Sequence, residues 1–152
     1  MPAKTIFGRF GPLLENQNDK RLWGPLLTVT LIDRQSIAKQ SDRPNVIADN
    51  LRGLVDTGAQ NSAIDVDLAK RLNLSVSRAG NLNFLGQVAP SNGYYFTLYF
   101  RDIGTAYMTE GPGQPFISSG SGFDLVIGWD VLQYFTLHIS KRSEQVFLQY
   151  EE

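Results

Sequence analysis

The sequence predicts a mainly β domain, and three observations lead there. Short segments rich in β-branched and aromatic residues recur along the chain, and glycine, proline and asparagine separate them. Helical periodicity is confined to two brief stretches, and no regular alternation of helix with strand is present, which removes the parallel α/β architectures. With 152 residues the chain fits one domain, long enough to bury a sizeable core and short for a two-lobed enzyme.

The elements follow in order. Residues 1–24 are mixed, with Gly8, Gly11 and Gly24 between the aromatics Phe7, Phe10 and Trp23, and read as an N-terminal arm. Residues 25–152 read as the domain proper. After the Gly24-Pro25 break, Leu26 to Ile32 (LLTVTLI) is a strand, and polar Asp33 to Pro44 is a loop. Val46 to Val55 is extended and runs into Asp56, with Gly58 allowing a sharp reversal. Asp65 caps a short helix through Val66, Leu68, Ala69, Leu72 and Leu74, with Lys70 and Arg71 on its solvated face. Ser75 to Gly93 reads as a hairpin around Leu82, Phe84 and Leu85, its tip near Leu85 to Ser91.

Tyr94 to Phe100 is a strongly aromatic strand whose alternation sends one side to the core. Thr105 to Met108 is a short strand, and glycine- and proline-rich Gly111 to Gly122 is a loop. Phe123 to Gly128 fits a buried strand, and Trp129 to Phe135 a short helix. Phe135, Leu137 and Ile139 then alternate with Thr136, His138 and Ser140, the pattern of a half-buried strand, and Gln145 to Tyr150 completes a closing hairpin.

Composition narrows the chemistry. Hydrophobic residues make up 42% and charged residues 19%, with a formal net charge of -1, so there is no basic footprint for nucleic acid. Cysteine is absent, which excludes disulfides, thiolate metal sites and cysteine nucleophiles. One histidine leaves too few ligands for zinc, and neither a serine-hydrolase elbow nor a phosphate-binding Gly-Lys-Ser/Thr loop is present. No cofactor is expected. Met1 to Lys20 resembles neither a signal peptide nor a membrane span, so no membrane partner is expected and a cytoplasmic location is the default.

One segment carries chemistry. Asp56-Thr57-Gly58-Ala59 follows an apolar run, Leu51 to Val55, broken by Arg52 and Gly53, and precedes polar Gln60-Asn61-Ser62. Two carboxylates sharing a proton can activate a water and protonate the carbonyl it attacks, whereas one carboxylate is a poor catalyst of amide hydrolysis. The motif occurs once, so a second copy of the chain would have to supply the other half. Asp102-Ile103-Gly104 lacks a hydroxyl at its centre and reads as a turn. Asp124 reads as a strand-end residue, Asp130 as a helix cap and His138 as a surface or interface residue.

The pair formed by Asp56-Thr57-Gly58-Ala59 and the later Leu125-Val126-Ile127-Gly128-Trp129-Asp130-Val131-Leu132 resembles the retropepsins, the single-domain aspartic proteases of retroviral type. The resemblance covers about residues 25–150 in order of elements and is specific at the two motifs. It implies the acid protease fold, one lobe per chain with one or two short helices, closed as a C2 homodimer. It further implies an aspartic endopeptidase in which the two Asp56 carboxylates activate a water, a polypeptide as substrate and Thr57 bracing the loop across the dimer axis. Leu125, Val126, Ile127, Gly128 and Trp129 would support the loop, and Leu85, Gly86, Gln87 and Val88 are the best match to the flap. Where many members carry an acidic residue and an arginine able to pair, this chain has Gln60 and Trp129, both charges being absent together. That departure keeps a second reading open, a non-enzymatic dimerisation or peptide-binding module on the same fold. An actin-like nucleotide fold built on Asp56-Thr57-Gly58 would need a far longer chain.

Overall fold

A computed structural model describes residues 4–35, 44–84 and 87–150. In chain order the strands are β1 (Thr5–Phe7), β2 (Arg9–Pro12), β3 (Trp23–Ile32), β4 (Val46–Val55), β5 (Ala63–Asp65), β6 (Val76–Arg78) and β7 (Asn81–Phe84). They continue with β8 (Gln87–Pro90), β9 (Gly93–Phe100), β10 (Thr105–Gln114), β11 (Leu125–Ile127), β12 (Phe135–Ser140) and β13 (Gln145–Tyr150). A 3-10 turn spans Lys20–Leu22, and the helices are α1 (Val66–Arg71) and α2 (Trp129–Leu132). Most of the polar stretch from Asp33 to Pro44 lies outside the described residues.

Eight strands form one sheet in the order β2-β3-β4-β11-β5-β10-β9-β6. The sheet also closes on itself. The register of β3 against β4 shifts between Val29 and Ile32, and there Thr30, Leu31 and Ile32 pair with Tyr99, Leu98 and Thr97 of β9. An irregularity of this kind bends and twists a strand, which lets one strand serve two neighbours.

Burial follows the alternation of the strands. In β9, Tyr94, Phe96, Leu98 and Phe100 are buried while Tyr95 is exposed, as the aromatic pattern predicts. β11 behaves differently, for Leu125, Val126 and Ile127 are all buried. Leu125 and Ile127 join the main core with Leu27, Val29, Ile64 and Leu98, whereas Val126 joins a second cluster with Leu26, Ala63, Phe116 and Phe123. A strand covered on both faces reads as a continuous apolar run, which is why this segment stood out in the sequence.

Several elements differ from expectation. Gly24 and Pro25 do not break the chain but lie inside β3, where Gly24 faces Gly11 and packs against the Leu13 side chain. β10 extends through Gly111, Pro112 and Gly113, so the predicted loop begins only after Gln114. Its glycines are there for space. A Cβ on Gly111 would collide with the Ser62 carbonyl, and one on Gly113 would stand 2.7 Å from the Tyr94 ring. The short strands β5 and β6 carry too few residues to show a period. Residues 4–24 pair with the body, β1 against β13 and β2 against β3. A separate sheet, β1-β13-β12, contains the closing hairpin and sends Ile6, Phe135, Val146 and Leu148 into the main core.

Candidate active site

Asp56 sits where β4 ends. Parallel pairing sets Leu125, Val126 and Ile127 opposite Gly53, Leu54 and Val55, and the Asp56 N–H extends the ladder to the Ile127 carbonyl (3.1 Å). The loop then turns back, with the Ala59 N–H donating to the Asp56 carbonyl at 3.2 Å. The Gly58 N–H donates to Oδ1 of Asp56 at 2.9 Å, which fixes the carboxylate from below. Gly58 is not in the left-handed region, so the expected sharp reversal is not its reason for being glycine. A Cβ there would lie 3.2 Å from that same Oδ1, in the space the carboxylate occupies.

A second tier of bonds ties this loop to the start of α2. The Trp129 N–H donates to the Ala59 carbonyl at 2.9 Å and the Asp130 N–H to the Gln60 carbonyl at 3.0 Å. The Trp129 indole N–H reaches the Thr57 carbonyl at 2.7 Å. Gly128, the N-cap of α2, makes the approach possible, since a Cβ would stand 2.7 Å from the Asn61 carbonyl carbon and 2.8 Å from the Ala59 oxygen.

Asp130 is not the helix cap the sequence suggests. It lies in the first turn of α2 and turns its carboxylate to Ser62, accepting from the backbone N–H at 3.0 Å and the hydroxyl at 2.7 Å. The Ser62 hydroxyl oxygen in turn accepts from the Gly128 N–H at 3.1 Å. Ser62 is fully buried, and nothing in the sequence marks it beyond its place after the motif. Asp124 is held by Arg52, whose backbone N–H donates at 2.7 Å and whose guanidinium stands 3.3 Å away. Asp65 caps α1 as predicted, accepting from the Leu68 N–H, and its other oxygen accepts from the Ile117 N–H. Asp102 lies in the β9–β10 turn and accepts from the Phe7 N–H at 3.3 Å. His138 is half-buried on the closing strand, stacked on Phe147 and 3.1 Å from the Gln149 side-chain oxygen.

Asp56 therefore differs from the other candidate carboxylates. Among the described residues no cation pairs with it, and its only side-chain hydrogen bond comes from its own loop. It lines a groove of about 620 Å3 together with Ala59, Gln60, Asn61, Ala63 and Val126. Pro112 and Gln114 of β10 line it too, as do Arg78, Ala79, Gly80, Ser91 and Gly93. Gly80 and Ser91 form the base of the β7–β8 hairpin, joined by a 2.7 Å backbone bond. Phe84 pairs with Gln87, and Gln87 and Val88 belong to β8. Leu85 and Gly86, the centre of the expected flap tip, lie outside the described residues. No group of three or more His, Cys, Asp or Glu among the described residues could hold a metal ion, and no helix there is long and apolar enough to cross a membrane.

No protein-family model and no curated protein sequence matches the chain. Solved structures do. The chain is similar to the crystal structure of a retropepsin-like aspartic protease from Rickettsia conorii, with a TM-score of 0.51 and 14% identity over 99% of this chain and 95% of that one. It also matches the retroviral protease-like domain of Ddi1 from Leishmania major (TM-score 0.46, 14% identity, 93% of this chain and 96% of that one). A third match is EIAV protease complexed with the inhibitor HBY-793 (TM-score 0.42, 19% identity, 72% and 86%). At such identity the likeness speaks to architecture, and the chain carries the retropepsin-like fold.

Proposed function

We propose that this protein is an aspartic endopeptidase that works as a homodimer, each subunit contributing one Asp56. The observation that carries the reading is the state of the carboxylates. Asp124 is engaged by Arg52, Asp130 by Ser62 and Asp65 by two backbone N–H groups, while Asp56, held among the described residues by the Gly58 N–H of its own loop, is the carboxylate of these four that lines the groove. One chain thus holds half of a two-carboxylate centre. A two-fold axis beside the loop supplies the other half. Thr57 and Gly58 are exposed next to the partly exposed Trp129 (37%), and in this reading that surface is the one a second copy covers.

Two carboxylates a few ångströms apart cannot both ionise freely, so the pair holds one proton between them. The charged member draws a proton from a bound water, the water oxygen attacks the peptide carbonyl, and the protonated member donates to the carbonyl oxygen. Collapse of the tetrahedral intermediate then breaks the C–N bond, with a proton passing to the leaving amine. The Gly58 N–H holds each carboxylate in place throughout. An extended substrate fits the groove, bonded through its backbone and covered by the β7–β8 hairpin.

The missing Gln60–Trp129 charge pair, which motivates the reading as an inactive module, is offset by other bonds. Three of them, from the Trp129 N–H, the Trp129 indole and the Asp130 N–H, hold the loop instead. Asp56→Asn tests the assignment. Cleavage of an unfolded protein substrate, followed by mass spectrometry of the products between acidic and neutral pH, is expected to vanish in the variant while its circular dichroism and sedimentation stay those of the wild type. Retained cleavage would overturn the peptidase reading.

A further inference from the structure

We infer that Arg78 makes this groove selective for peptides bearing acidic side chains beside the cleavage point, an inference that rests on the peptidase reading of the same site. The described lining is mixed. Ala59, Ala63, Pro112 and Val126 stand beside the amides of Gln60, Asn61 and Gln114. The amides accept and donate hydrogen bonds without regard to charge, so they do not by themselves choose between an acidic side chain and its amide.

Arg78 is the cation in that lining. Its register partner across β6 and β9 is Gly93, and a Cβ on Gly93 would lie 3.3 Å from the Arg78 Cγ and 3.8 Å from its Nε. The arginine stem therefore lies across the space that the glycine leaves empty, flat against the groove wall. Among the described residues its head has one ion-pair partner, held loosely. Glu110 stands 4.0 Å away, and both side chains are well exposed, 74% for Arg78 and 45% for Glu110. A solvated pair at that distance is weak, so a substrate carboxylate can replace Glu110 at small cost. A guanidinium takes a carboxylate through two parallel hydrogen bonds, which selects Asp and Glu over their amides. In the two-fold dimer a second Arg78 faces the other end of the substrate, which places one acidic preference on each side of the scissile bond.

The test uses the full chain and two readouts. Wild-type protein is incubated with a peptide library from a digested proteome, and the residues flanking each cut are tallied; Asp and Glu enriched on both sides of the cut is the expected result. For a decapeptide with Glu on each side of its central bond and its Gln counterpart, the Glu-to-Gln ratio of kcat/KM is expected to fall about tenfold in Arg78→Glu. Arg78→Lys, which keeps the charge and loses the fork, should retain part of the preference. Library cuts without acidic enrichment, or a ratio unchanged in Arg78→Glu, would overturn the inference.

The second readout separates this inference from the reading beneath it. Fluorescence anisotropy of the labelled Glu and Gln decapeptides is measured on Asp56→Asn with and without Arg78→Glu. If the wild type cuts nothing, the peptidase reading falls, yet Arg78 is still supported by tighter binding of the Glu peptide that the charge reversal removes. Equal binding of both peptides would overturn it there too.

Discussion

The indole N–H of Trp129 donates to the Thr57 carbonyl oxygen at 2.7 Å and ties the start of α2 to the loop that carries Asp56. Being partly exposed, it should add little to global stability, about 0.5–1.5 kcal/mol for an ordinary intramolecular hydrogen bond. Its effect should fall on the geometry of Asp56. Trp129→Phe is expected to lower kcat several-fold with KM nearly unchanged and the melting temperature down by only a few degrees; an unchanged kcat would show that the indole does not position the loop. Tyr107 offers a second test at this scale. Its ring packs against Phe100, Tyr134 and Phe135, and its buried hydroxyl has no hydrogen-bond partner among the described residues. Burial pushes this phenol up to about 12, with the nearby Tyr150 and Tyr134 adding to the shift. A phenol raised in the folded state favours folding while it stays protonated, so that contribution is intact below the ordinary value near ~10 and is lost as pH rises through about 12. The urea midpoint of Tyr107→Phe should thus fall less with rising pH between those limits than that of wild type, and at neutral pH the variant should be as stable or slightly more so.

At the level of elements, the site depends on β4 and β11 lying parallel with α2 starting at once after the latter. Glycine makes that junction possible. Gly128→Ala would drive a Cβ onto the backbone of Asn61 and Ala59, which cannot swing aside as a side chain can. The expected loss is about 3 kcal/mol, the upper end for overpacking, read as a lower urea midpoint with an unchanged slope. Much of this junction was legible in the sequence. The apolar run of Leu125, Val126 and Ile127 announced a buried strand, which the fold covers on both faces, and Asp65 announced the start of α1 through its capping chemistry. The length of β10 was not legible, because Gly111, Pro112 and Gly113 read as loop residues. Their backbone is extended since Gly111 must pass over the Ser62 carbonyl and Gly113 over the Tyr94 ring, contacts made by residues distant in the chain.

For the whole molecule, the proposed activity requires two chains, and it should therefore depend on concentration. Specific activity is expected to fall on dilution in step with the sedimentation coefficient, as dimers part into inactive monomers. Activity that stays constant while the protein sediments as a monomer would contradict a shared site. Mixing excess Asp56→Asn into wild type should also depress activity, since heterodimers carry one carboxylate of the pair. The eight-stranded sheet closes through β3 and β9, and the main core it surrounds is built from residues of one chain.

The sequence by itself determined the β class, the catalytic candidate Asp56 and the apolar strand that supports it. Each of these is written in local chemistry: alternation, the Asp56-Thr57-Gly58-Ala59 motif, an unbroken run of apolar residues. Tertiary structure alone decided what each carboxylate touches. Folding brings Arg52 to Asp124, Ser62 to Asp130 and an open groove to Asp56. The same is true of Arg78, an ordinary surface cation until the pairing of β6 with β9 lays it across Gly93 at the wall of that groove. Hydrogen bonds and ion pairs between residues far apart in the chain have no period and no motif, so only the folded chain reveals them.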